Sequence, residues 1–85
     1  MRLIGRHRLQ PLAEQGAAPR KWALSWVAEV RDAQWSSTED VLRQFPNVSL
    51  ENNIFLFPVL TTATSVVVLF AFPHQIALIT ALKAA

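Results

Sequence analysis

Cysteine and tyrosine do not occur in this 85-residue sequence, and glycine occurs only twice. Without cysteine the chain has no disulfide and no thiolate metal site, which fits a reducing compartment such as the cytoplasm. A chain of 85 residues is long enough for one domain at most. Its hydrophobic fraction of 52% excludes an acidic or low-complexity disordered chain.

Charged residues are also missing from one long stretch, because residues 52–82 contain no Asp, Glu, Lys or Arg. Elsewhere the charges are segregated: residues 1–21 carry a balance of +4 and residues 22–51 a balance of −3, within a net charge of +2. A basic N-terminal patch suits a partner that carries phosphate groups, although an ordinary solvated surface explains it equally well. The basic residues of this patch are Arg2, Arg6, Arg8, Arg20 and Lys21.

The first half of the chain has the pattern of a short strand followed by helices. We expect a strand over residues 1–5, a short helix over residues 8–15 and the clearest helix over residues 20–34. Trp22 and Trp26 are four residues apart in that helix, a spacing that favours a place in the core over a ligand-stacking role.

A third helix is indicated by a capping box. Ser37 is followed three residues later by Asp40, whose carboxylate is expected to reach back to a free backbone N–H. Pro46 should end this helix, because the residue before a proline avoids the helical region.

The uncharged stretch is rich in β-branched and aromatic residues, which favour strands. It predicts a three-stranded antiparallel meander with the helices over one face, and therefore an α+β domain. The alternative is a single membrane-spanning helix, against which Pro58, Pro73 and a run of hydroxyl side chains argue. The predicted apolar segments are 54–57, 59–60, 65–72 and 75–82, with breaks at 61–64 and 73–74.

Residue spacing by itself shows no catalytic constellation and no metal-ligand pattern. The two histidines, His7 and His74, are far apart in sequence, and each is expected at the surface. His7 lies between Arg6 and Arg8, where a contact with a base or a phosphate is open to it.

Several segments resemble the HigB-type toxins of bacterial type II toxin–antitoxin systems, in the same order and nearly without gaps. Strand-like residues 55–57, 66–68 and 75–79 also fall in register with the sheet of that family. The segments that carry the resemblance are 2–6, 23–30, 33–37, 40–41 and 45–46.

The resemblance implies a single RelE-like domain over residues 1–85. In such a domain an N-terminal strand and two to three helices pack on a three- to four-stranded antiparallel sheet. It also implies a cytoplasmic, ribosome-associated mRNA interferase that inhibits translation. Its partners would be mRNA, the ribosome and a HigA-like helix-turn-helix antitoxin, with no cofactor, no metal and no membrane. In that endoribonuclease chemistry the ribose 2′-OH attacks the adjacent phosphate, basic side chains offset the growing charge, and an acid or base moves protons.

This chain departs from the family pattern at positions where the resemblance implies basic side chains on the sheet. Those positions are occupied by Ile54, Ser65, Leu69 and Thr80. The family turn that precedes Ser65 falls at residues 60–62, and the family tail with its His and Tyr would begin at about residues 84–85. Phosphate contacts would then fall to the N-terminal basic residues, with His7 and Arg6 as catalytic candidates.

Three functional hypotheses follow. In the first, the chain is an active mRNA interferase with a displaced site. In the second, it is a catalytically degenerate HigB-like domain that binds a partner protein. The third is a small single-span membrane protein.

Overall fold

The computed structural model describes residues 1–60 and 62–84. Within them the chain forms a compact α+β domain with three helices and five strands, which confirms the predicted fold class. The strands are β1 (Arg2–Ile4), β2 (Ser49–Glu51), β3 (Ile54–Pro58), β4 (Thr64–Ala71) and β5 (Ile76–Ala84). The helices are α1 (Gln10–Gln15), α2 (Ala17–Asp32) and α3 (Thr38–Gln44), and 3₁₀ turns cover Arg6–Leu9 and Phe72–His74.

The five strands form one mixed sheet in the order β1-β5-β4-β3-β2. β1 runs parallel to β5, whereas the other three pairs are antiparallel. The antiparallel meander predicted for the uncharged stretch is confirmed by β3, β4 and β5. The expectation that the whole sheet has three to four antiparallel strands was wrong, because β2 and the parallel β1 bring it to five. β2 has only 3 residues, too few for its alternation to indicate a strand. The pairing of β1 with β5 joins opposite ends of the chain, so local periodicity does not reveal it.

The strands of the second half start and end close to the predicted positions. Val59 and Leu60, predicted as a strand, lie outside the sheet. Thr61, within the predicted break 61–64 and the family turn position 60–62, and Ala85, at the tail position, lie outside the described residues. Since Ile54–Pro58, Thr64–Ala71 and Ile76–Ala84 are strands, the alternative of one helix over the uncharged stretch was wrong. None of the helices among the described residues has the length and apolar character needed to cross a bilayer.

Helix α2 begins at Ala17, three residues earlier than predicted, because only Gly16 interrupts the helical backbone. Pro19 lies in the first turn, where its missing N–H needs no partner. At the other end, the ammonium group of Met1 donates to the carbonyl oxygens of Val30, Arg31 and Ala33 at 3.3, 3.0 and 2.6 Å. The ammonium group thus gives hydrogen bonds to carbonyl oxygens at the C-terminal end of α2, where intrahelical donors run out, and it ties β1 to α2.

Helix α3 starts after Ser37 as predicted, but the capping contact is displaced by one residue. The Asp40 carboxylate accepts hydrogen bonds from the backbone N–H and the hydroxyl of Ser36, at 2.9 and 3.0 Å. The Ser37 side chain makes no capping hydrogen bond. The helix ends at Gln44, before Phe45 and Pro46, as predicted.

The core lies between the helices and one face of the sheet, and Trp26 is at its centre. The Trp26 ring stacks on Trp22 with centroids 6.0 Å apart and meets Phe57 of β3 edge-on at 5.3 Å. The prediction that the two tryptophans serve the core is confirmed, since Trp26 is buried and Trp22 packs against the core cluster.

Candidate functional site

All six cationic or imidazole side chains singled out from the N-terminal sequence are exposed. They belong to three elements: β1, the 3₁₀ turn Arg6–Leu9 and the start of α2. The ion pairs among the described residues are Arg43–Asp40 and Lys83–Glu51, so none of these side chains has an acidic partner. The six residues are Arg2, Arg6, His7, Arg8, Arg20 and Lys21.

Gly5 places the 3₁₀ turn Arg6–Leu9 against β5. Its φ of 90° lies in the left-handed region, and a Cβ built on it would lie 2.5 Å from the Ile79 carbonyl oxygen. Only glycine allows the chain to reverse this close to the sheet. The reversal brings Arg6 to the side of the domain where α2 begins.

Arg6 and Arg20 both line one groove between the N-terminal turn, α1 and α2, which we call the arginine groove. Its volume is about 460 Å³. Its floor is apolar, formed in part by the buried Leu9, Ala23 and Val27. Of the N-terminal basic residues, the structure thus brings Arg6 and Arg20 together in this groove, whereas Arg2, Arg8, Lys21 and His7 do not line it.

The arginine groove can hold an anion. Guanidinium groups present several N–H donors in a fixed plane and match the oxygen geometry of phosphate. The positive end of the α2 dipole adds to the potential near Arg20, and α2 has no acidic residue in its first turn. Gln10 is the remaining polar lining residue, so the lining supplies no group that exchanges a proton near neutral pH.

The second surface is the sheet face turned away from the helices, which we call the open face. The strand register assigns its residues, because directly paired residues point to the same side. Ile54 pairs with Leu69, Leu69 with Leu78, and Leu78 with Ile4. The open face consists of Arg2, Ile4, Ser49, Glu51, Ile54, Leu56, Pro58, Ser65, Val67, Leu69, Ala71, Ile76, Leu78, Ala81 and Lys83.

Three of the positions where the resemblance implies cations, Ile54, Ser65 and Leu69, lie on the open face. The fourth, Thr80, occupies the irregularity between β4 and β5 and donates its hydroxyl to the Val67 carbonyl oxygen at 3.4 Å. Successive side chains of a strand point to opposite faces of the sheet. Which side chains of the four strands β1, β5, β4 and β3 share the open face depends on the strand register, and the sequence does not reveal the register.

One ion pair crosses the open face. The Lys83 ammonium group lies 3.8 Å from a carboxylate oxygen of Glu51, with both side chains more than half exposed. Glu51 belongs to β2 and Lys83 to β5, and two strands separate them in the sheet. The apolar centre of the open face therefore has its charged groups at its margins.

The histidines do not form a site. His74 is exposed in the 3₁₀ turn before β5, in agreement with its predicted place in a turn. His7 is exposed in the N-terminal turn. No three side chains of the metal-binding types His, Cys, Asp or Glu cluster anywhere in residues 1–60 and 62–84.

No protein-family model matches this sequence, and no curated protein matches it either. The features that bear on function are therefore the arginine groove, the open face and the residues that carry the resemblance.

Proposed function

We propose that this chain is the HigB-like toxin component of a type II toxin–antitoxin system. It acts as a cytoplasmic mRNA interferase on ribosome-bound messages and binds a HigA-like helix-turn-helix antitoxin. The ordered resemblance over residues 2–46 supports this proposal, as does an α+β domain with an N-terminal strand, helices and a following sheet. The observation that carries it is that Arg6 and Arg20 line one groove.

In this proposal the arginine groove takes the RNA backbone. The guanidinium groups of Arg6 and Arg20 hold a phosphate and offset the charge that grows on it when the 2′-OH attacks. The groove has no aromatic lining residue to stack on a base, so the contact is to the backbone and independent of base identity. His7 follows Arg6 in the same turn but does not line the groove, so as the proton-transferring group it would act on the phosphate from outside the groove lining.

The test is expression of the chain in a bacterial host, with growth followed and the 5′ ends of cleaved mRNA mapped. We expect growth arrest and cleavage, both lost in the double variant Arg6→Gln/Arg20→Gln. The control Arg8→Gln/Lys21→Gln removes the same charge outside the groove and should keep both effects. His7→Gln should abolish cleavage, whereas His74→Gln should not. Growth arrest with an unchanged mRNA cleavage pattern would contradict the proposal.

A second candidate function is a catalytically degenerate HigB-like domain that binds a partner protein. It is favoured by the uncharged residues Ile54, Ser65 and Leu69 at positions of the open face where the resemblance implies basic groups. Removal of one preorganised group from a developing charge costs about 3–4 kcal/mol of transition-state stabilisation, so several such losses would end efficient catalysis.

This candidate predicts no growth arrest but a stable complex with the product of an adjacent helix-turn-helix gene. Co-expression followed by size-exclusion chromatography measures the complex. Separate elution of the two chains, with no growth arrest either, would rule out both candidates.

A further inference from the structure

The arginine groove has an apolar lining for which contact with an RNA backbone has no use. A nucleic-acid backbone is bound through its phosphate and sugar groups, so in the proposed function the arginines are the lining residues that take part. Five of the eight residues that line the groove are nevertheless apolar. They are Leu9, Ala13, Ala23, Leu24 and Val27. The groove therefore combines two chemistries, a pair of guanidinium groups and an apolar lining.

Half of this lining comes from one side of α2. The α2 residues of the groove are spaced i, i+3, i+4 and i+7, which places them on the same face of the helix. The face begins with a cation near the start of α2 and continues with apolar residues for about 10.5 Å along the axis. Its members are Arg20, Ala23, Leu24 and Val27. Along the groove the lining thus changes from charged to apolar, as a ligand with a charged head and an apolar tail requires.

Two alanines keep the groove open. Ala13 of α1 and Ala23 of α2 both line it, and alanine has no side-chain atom beyond Cβ to fill the space between the two helices. The groove volume of about 460 Å³ lies within the range of about 300–1,000 Å³ that small-molecule sites have. At about 30 Å³ for each water-sized group, the groove has room for about 15 such groups. That is the size of one medium-length alkyl chain with its head group.

Leu24 adds apolar surface that the fold does not bury. It is 54% exposed, the highest value among the exposed large apolar residues in the described part of the chain. A single exposed leucine is ordinary on a protein surface. Leu24, however, shares the groove with the buried Leu9 and Val27, so its exposed surface continues an apolar lining. An alkyl chain in the groove would remove this surface from water.

Charge and size select the ligand. Two guanidinium groups and no carboxylate line the groove among the described residues, so the head group is an anion. A nucleobase binds best by stacking on an aromatic ring, and no described aromatic side chain lines this groove. A membrane surface touches protruding side chains, whereas Leu9 and Val27 are buried at the floor. The ligand that fits is a single chain that enters the groove.

We propose that the arginine groove binds a single-chain amphipathic anion, an alkyl chain of about 8–12 carbons that ends in a carboxylate or a phosphate. Arg6 and Arg20 hold the head group, and the chain lies over the two alanines against Leu24. The inference goes beyond the proposed function and does not rest on it. Where both hold, the ligand and RNA compete for the same two arginines.

The probe is decanoate, whose binding to the purified full chain is measured by isothermal titration calorimetry below the concentration at which micelles form. We expect saturable binding of one decanoate per chain. From octanoate to decanoate the affinity should rise about twofold for each CH₂ group, less than the roughly fourfold of complete burial, because the groove is open to solvent. Uncharged decanol and cationic decyltrimethylammonium should each bind at least tenfold more weakly. Decyl phosphate identifies the head group: tighter binding than decanoate assigns phosphate, weaker binding assigns carboxylate, and either order supports the proposal.

Variants locate the ligand. Arg6→Gln/Arg20→Gln should weaken decanoate binding at least tenfold, whereas Arg8→Gln/Lys21→Gln removes the same charge outside the groove and should bind as the unmodified chain does. Leu24→Gln should weaken it at least threefold, with Leu42→Gln, an exposed leucine of α3, as the matched control. Ala13→Leu fills the groove at an exposed position and should also weaken it. Circular dichroism verifies that each variant folds.

Non-saturable uptake of decanoate, or equal affinity of the unmodified chain and Arg6→Gln/Arg20→Gln, would overturn the proposal. So would binding to phosphatidylglycerol vesicles without binding of monomeric decanoate, because it would make a membrane surface the ligand. An unmodified chain that cleaves mRNA through Arg6 and Arg20 but binds no decanoate would contradict this inference and leave the RNA function standing. Saturable decanoate binding without mRNA cleavage would do the opposite.

Discussion

Ile54 and Leu69 lie directly opposite each other on β3 and β4, with both side chains on the open face. At both positions the resemblance to HigB-like toxins implies basic residues. The cations without acidic partners among the described residues include those of the N-terminal elements, whereas Ile54 and Leu69 leave the middle of the open face apolar.

Ile54→Arg/Leu69→Arg should create an RNA-binding surface on the open face. Both side chains are about one third exposed, so the stability should change by less than about 1 kcal/mol. The dependence of log K on log salt for single-stranded RNA should steepen by about 0.7 for each new phosphate contact. Leu42→Arg/Leu50→Arg adds the same charge elsewhere, so an equal change in that control would mean that location is irrelevant.

Gly5→Ala should destabilise the fold by about 2–3 kcal/mol, because alanine is strained at positive φ and its Cβ would meet the Ile79 carbonyl oxygen. Gly16→Ala is the comparison: φ is also positive there, but the nearest atom, Cδ of Pro19, is 3.9 Å away. Urea unfolding of both variants measures the difference. An equal loss in both would show that the contact with β5 contributes nothing.

Trp26→Phe should leave stability within about 1 kcal/mol of the original chain. The indole N–H of Trp26 is buried without a hydrogen-bond partner, so its removal relieves a desolvation cost of about 1–3 kcal/mol that offsets the lost volume. Trp35→Phe removes an indole N–H that donates to Gln44 Oε1 at 3.2 Å, and should cost more. Thermal unfolding of the two variants tests the order, and the reverse order would contradict it.

The α3 cap should make stability depend on pH through Asp40. The backbone N–H of Ser36, then its hydroxyl, hold the pKa of Asp40 below the ordinary 3.8, with Arg43 assisting and partial desolvation opposing. A lowered folded-state pKa means that the carboxylate stabilises the fold above the unfolded-state pKa. That contribution is lost as the pH falls through the folded value.

Asp40→Asn should therefore be less stable than the original chain at about pH 6, and the gap should close towards about pH 2. Chemical unfolding over this range measures both chains. If the difference in stability between Asp40→Asn and the original chain does not change with pH, the substitution acts through packing and not through the charge of Asp40. Glu39→Gln, an acidic residue of the same helical turn, serves as the control.

The sequence alone determined the elements that depend on local chemistry. The apolar stripe of Trp22, Trp26 and Val30, the start of α3 at Ser37 and the strands of the uncharged stretch all follow from periodicity, capping and β-propensity. These signals act within a few residues of each other, so one chain segment is enough to read them.

Only the tertiary structure decided which distant residues meet. The parallel pairing of β1 with β5, the alignment of Ile4 with Leu78, and the meeting of Arg6 with Arg20 in one groove join segments separated by long stretches of chain. Register and twist set these meetings, and a shift of one residue would send each side chain of a strand to the other face. The absence of charge between residues 52 and 82 predicted a sheet, and the register of that sheet decided which face remained uncovered.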